Sequence, residues 1–160
     1  MAFVYPVIYI WPAFVANGAP VILGGGRPID LGRKFLGRRI FGDHKTIRGF
    51  AAGVAAGSLM GLLESAFLPY MLLVGVALGF GAMGGDLLGS FVKRRIGIRE
   101  GTRMLLLDQY PFLVIALLLA FPLGRSPGLY GIVFIVILTG AMHVLTNFYA
   151  HRLKLKKVPW

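Results

Sequence analysis

Five apolar runs, each close to twenty residues, alternate with polar connections along the chain, at about 3–26, 50–68, 70–92, 104–123 and 129–150. A helix rises ~1.5 Å per residue, so roughly 20 apolar residues cross the hydrocarbon layer, and each run predicts one transmembrane helix. The expected fold is therefore all-α and polytopic, with residues 1–160 forming one membrane domain and residues 27–49 and 93–103 its two longer loops. Residues 1–15 carry no charge ahead of the apolar run and no small-residue cleavage pattern follows, so this stretch reads as the first span and not as a removable signal. Asn17, Pro20 and the run Gly24-Gly25-Gly26 predict either a helix broken beside a cavity or a simple proline kink. Gly53, Gly57 and Gly61, and then Gly75, Gly79, Gly81, Gly84 and Gly85, favour close packing between helices.

Composition strengthens the membrane assignment. With 57% hydrophobic residues, 14% charged residues and a mean hydropathy of +0.76, the chain is too apolar for a water-soluble core of this size. Cysteine is absent, which removes disulfides, thiolate metal sites and cysteine nucleophiles. Of 17 Lys and Arg residues, all but Arg125 fall after the first, third and fifth runs. The positive-inside rule then puts the amino terminus outside and the carboxyl terminus and both basic loops in the cytoplasm, as expected of a plasma-membrane protein. In so apolar a chain the net charge of +11 reads as topogenic and attracted to lipid headgroups, and no nucleic-acid partner is expected.

Only six acidic residues occur, and an ionisable group near membrane depth is costly enough to be a functional candidate. Helical spacing aligns Asp86, Ser90 and Lys93 or Arg94 along one face running toward the basic loop. A carboxylate, a hydroxyl and two cations suit a divalent metal bridging phosphate oxygens, although the bases alone could simply anchor a helix end. Asp108 opens the next run across a short loop, so it can meet Asp86 as a second hard ligand for Mg2+, or else complement a helix dipole. The segment Asp43-His44-Lys45-Thr46-Ile47-Arg48 precedes a helix start and offers cations, a hydroxyl and backbone N–H groups to a nucleotide phosphate, without a Walker A string. His143, Asn147 and His151 fall at spacing four near the end of the last run and, with Asn17, are cavity candidates; interfacial placement is the alternative. Glu64 lies toward the other membrane face, where solvation or a local hydrogen bond is expected.

Together, Gly85-Asp86, Ser90, Lys93-Arg94 and the downstream Asp108 resemble the signature of the CDP-diacylglycerol synthase superfamily of membrane cytidylyltransferases. The short chain, with Gly42-Asp43-His44-Lys45-Thr46 and Leu107-Asp108-Gln109, is more similar to the archaeal branch, the CDP-archaeol synthases; the His-Gly-Gly and Asp-Arg-x-Asp strings of the bacterial and eukaryotic enzymes are missing. The resemblance implies transfer of CMP from CTP to an unsaturated archaeal ether lipid phosphate, 2,3-bis-O-geranylgeranylglycerol 1-phosphate, giving CDP-archaeol and pyrophosphate with magnesium as cofactor. It implies Asp86 and Asp108 as metal ligands and Lys45, Thr46 and Arg48 as nucleotide contacts. Two competitors are a CDP-alcohol phosphotransferase, whose Asp-Gly-x-x-Ala-Arg string is missing, and a small transporter or channel subunit using Asp86 as a pathway residue. Oligomeric state is not encoded in any pattern found here.

Overall fold

The apolar runs fold as helices whose ends follow local chain signals. This computed structural model describes residues 3–102 and 104–154. Its helices are α1 (Val4–Leu23), α2 (Ile47–Ser65), α3 (Met71–Arg95), α4 (Leu105–Gln109), α5 (Pro111–Ala120) and α6 (Leu129–Arg152), and a small antiparallel hairpin pairs β1 (Lys34–Phe35) with β2 (Arg38–Arg39). Five segments are long and apolar enough to cross a membrane, the fourth being Leu106–Leu123.

Three boundaries depart from the hydropathy pattern. Helix α1 runs unbroken through Pro12 and Pro20 and closes with the Gly24 N–H donating to the Pro20 carbonyl at 2.9 Å, so the proline does not break the helix. Helix α2 starts at Ile47, ahead of the apolar run, because Thr46 is an extended N-cap whose hydroxyl accepts from the Gly49 N–H at 3.0 Å. The fourth run, expected to be continuous, is interrupted at Tyr110. Pro111 supplies no N–H to the helical ladder, and Tyr110 before it stays in the right-handed region only with φ stretched to -111°, so α4 ends and α5 restarts with proline in its first turn.

Helix α3 is central, packed against α1, α2 and α5. The core joins Tyr9, Ile10, Ala13 and Ala16 of α1 to Val74, Leu78, Ala82 and Met83 of α3 and Phe112, Leu113 and Ala116 of α5. Two glycine faces make this approach possible: a Cβ on Gly61 would lie 2.6 Å from Gly75 Cα, and one on Gly81 would lie 2.4 Å from Ala116 Cα. Backbones therefore touch on both sides of α3, as small residues permit in lipid. At the far end of α2 from Thr46, Glu64 is buried with its Oε2 unpartnered among the described residues, where the sequence predicts solvation or a local hydrogen bond.

Candidate active site

The loop before α2 is tied at its base by Ile29 N–H to Lys45 O at 2.7 Å and Ile47 N–H to Arg27 O at 3.1 Å. Its interior is organised by Asp30, which accepts from the N–H groups of Gly32, Phe41 and Gly42 and from the Arg39 guanidinium, the shortest contact being 2.6 Å. Burial alone would raise the Asp30 carboxyl, but Arg39 and those N–H groups outweigh it and hold the carboxyl well below the ordinary carboxylate range. Asp30, and after it Asp43, keep the Arg39 guanidinium firmly charged. The second loop joins the first where Glu100 Oε2 accepts from the Asp43 N–H at 3.1 Å.

This frame carries Lys45 onto α3. Its Nζ donates to both Asp86 carboxylate oxygens, at 2.7 and 2.6 Å, and the pair is half-buried. Lys93 pairs with Asp108 at 2.6 Å, and the other Asp108 oxygen accepts from the Met104 N–H at 2.8 Å. Each carboxylate singled out from the sequence is thus held by an ammonium from another element, and Lys93 serves Asp108, not the Asp86 on its own helix face. Asp108, in α4 just before the interruption at Tyr110, lines the cavity.

Two adjoining cavities share His44, Lys45 and Asp86. One lies against Pro20, Thr46 and Met83. The other is lined by Ser90, Lys93, Arg94, Glu100 and Asp108 among others, so three cationic and three anionic side chains face it. Such a balanced cavity cannot by itself neutralise a polyphosphate, whereas an added divalent cation would offset part of its charge. Arg94 is buried, donates to Arg99 O at 3.3 Å, and leaves its Nε without a partner among the described residues. A buried guanidinium so incompletely satisfied is suited to an anion.

The remaining sequence candidates divide. His44 and Thr46 line a cavity, Thr46 already spending its hydroxyl on the helix cap. Asp43 is exposed and paired to Arg39. Arg48 is exposed at the start of α2, outside the lining of both cavities. Asn17 and Asn147 are half-buried and, like His151, are not part of either lining. The side chain of His143, and Arg103, Lys156 and Lys157, lie outside the described residues. Sequence reasoning missed Asp30 and Glu100 as organisers; the Asp30-Leu31-Gly32 turn pattern was the available signal for the first.

A magnesium site fits this donor set in one respect and not another. No cluster of three or more His, Cys, Asp or Glu side chains forms a protein cage among the described residues. Magnesium does not require one, since it takes one or two carboxylates with water and substrate phosphates, and Asp86 and Asp108, which line the same cavity, could supply them.

Comparison with known proteins identifies the family. A family model described as CarS-like, CDP-archaeol synthase, matches residues 1–160. The CDP-archaeol synthase of Pyrococcus abyssi is 46% identical over 160 residues, covering 95% of both chains. That of Methanopyrus kandleri is 48% identical over 156 residues, covering 95% of this chain and 90% of the relative. The solved structure of an intramembrane enzyme for archaeal membrane lipids biosynthesis matches with a TM-score of 0.83 at 40% identity, over 88% of this chain and 91% of that one.

Proposed function

The chain belongs to the CDP-archaeol synthase family, and from that premise we propose that its reaction takes place in the charged cavity between α3, α4 and the loop before α2. The reaction is CTP-dependent formation of CDP-archaeol by an integral membrane enzyme. A transporter role has no support among these relatives. The acceptor we assign is 2,3-bis-O-geranylgeranylglycerol 1-phosphate, and the basic face is assigned to the cytoplasm, where CTP is found.

The observation that carries the site is the pairing of both candidate carboxylates with lysines on one cavity wall. In this reading the lysines occupy the carboxylates until substrate arrives, then turn to the phosphates. Asp86 and Asp108 would hold magnesium, which when bound supplies positive charge against the triphosphate. Arg94, which lines the cavity, would take the departing pyrophosphate, and His44, Thr46 and Ser90 would line the nucleotide path. The lipid phosphate is already an anion near neutral pH, so it attacks the α-phosphorus of CTP in line without a protein base. The P–O bond to pyrophosphate breaks as the new one forms. Orientation and charge neutralisation then carry the rate.

Purified protein given CTP, the ether lipid phosphate and magnesium should form CDP-lipid and pyrophosphate in equal amounts, and chelation should stop it. Asp86→Asn and Asp108→Asn should each lower turnover by about 10²–10³-fold, the range typical of removing one electrostatic group from a preorganised site. Wild-type turnover in Asp86→Asn would remove that residue from the site.

A further inference from the structure

The hairpin of β1 and β2 carries features that neither the fold nor the reaction uses. Its two-residue turn, Leu36-Gly37, has φ of 50° and 76°. A turn with both central residues in the left-handed region favours Asn-Gly, and leucine is among the residues that region suits least. Leu36 nevertheless occupies it, and is 77% exposed. Leu31, one strand away, repeats the combination with φ of 51° and 59% exposure. Two leucines are thus held in an unfavourable backbone conformation while making little contact inside the molecule. Around them, Arg33 and Lys34 are exposed and form no ion pair among the described residues.

The position of the hairpin relative to the bilayer decides what these residues meet. Phe35 stacks on Phe91 with ring centroids 6.4 Å apart, and the Arg95 guanidinium lies 5.3 Å and 5.1 Å from the centres of the two rings. Arg95 donates to the carbonyls of Phe35 and Arg39, and Arg38 donates back to those of Arg94 and Arg95. The hairpin is therefore fixed alongside the last turn of α3. At ~1.5 Å per residue the 25 residues of α3 span about 37 Å, against a hydrocarbon layer of roughly 30 Å, so this turn lies where hydrocarbon gives way to headgroups.

We propose that the 34–39 hairpin is an interfacial anchor, with Leu36 and Leu31 set into the headgroup boundary and Arg33 and Lys34 bound to anionic phospholipid headgroups of the same leaflet. Apolar tips flanked by cations at this depth gain both burial and electrostatic attraction. The same loop ends in Lys45, so the anchor fixes the height of the cavity above the membrane plane. This inference depends on α3 spanning the bilayer, and not on the assignment of the reaction.

The chain has no cysteine, so Leu36→Cys can carry a single fluorescent label in proteoliposomes, with Arg99→Cys in the other loop as reference. In vesicles rich in phosphatidylglycerol, spin-labelled lipid should quench the label at 36 several-fold more than at 99, and aqueous iodide should do the reverse. Adding Arg33→Gln and Lys34→Gln, or using phosphatidylcholine alone, should weaken lipid quenching at 36. Iodide access at 36 equal to that at 99 would overturn the anchor. Lipid quenching unchanged by the charge substitutions and by neutral lipid would overturn the anionic-headgroup contact. Protection of position 36 that rises with protein density instead of lipid charge would assign the hairpin to a second copy of the chain and equally overturn the proposal.

Discussion

Two aspartates of the same chemistry have opposite fates in this molecule. Asp30 receives five hydrogen bonds from its own loop and has no acceptor capacity left for a ligand. Among the described residues Asp86 is held only by the end of a flexible lysine, which can move away. What keeps Asp86 at the cavity is its neighbour Gly85, where a Cβ would stand 2.2 Å from the Pro111 carbonyl oxygen, whereas one on Gly84 would meet nothing within 4 Å. Gly85→Ala should therefore force α3 from α5 and cost about 1–3 kcal/mol, as overpacking generally does. Gly84→Ala should be neutral or stabilising by up to about 1 kcal/mol, because alanine is the better helix former. Thermal unfolding in detergent micelles distinguishes them: Tm should fall for the first only, together with turnover. Equal Tm values would show that the helices do not approach so closely.

At the scale of elements, the break between α4 and α5 matters most to the site. Pro111→Ala restores an N–H and removes the ring that crowds Tyr110, which is αR but with φ stretched to -111°, so the two helices should join into one regular helix and shift Asp108 relative to Lys93. The expected result is a Tm at or above that of the unsubstituted protein with strongly reduced CDP-lipid formation. Unreduced formation would show that the interruption between α4 and α5 is not needed. The sequence already held this proline and the Thr46 cap, but a hydropathy reading follows burial in lipid, which is blind to a local interruption of the helix. The five spans were legible for that reason, since length and apolarity alone specify them. The hairpin was not, because Leu36-Gly37 lacks the usual turn signature. Nor could local spacing show Lys45 on Asp86, a contact across 41 residues created only when α2 and α3 pack.

For the whole molecule, the separation of charge along the membrane normal links orientation to chemistry. All four ion pairs among the described residues lie at the end that carries the basic loops. The opposite end has Arg125, stacked on Tyr70 at 5.2 Å, and the buried Glu64. Lys and Arg are retained on the cytoplasmic side during insertion, so the loops after α1 and α3 should face inward and the turn before α6 outward. The same direction follows independently from the reaction, because CTP is soluble and made inside the cell while the acceptor stays in the bilayer. In intact cells a membrane-impermeant maleimide should label Ser126→Cys, and should label Arg99→Cys only after permeabilisation; the cysteine-free background makes each a single site. The reverse pattern would place the charged cavity away from CTP and contradict both arguments together. With the expected pattern, CDP-lipid is released into the inner leaflet, where the hairpin would meet the anionic headgroups that hold it at the interface.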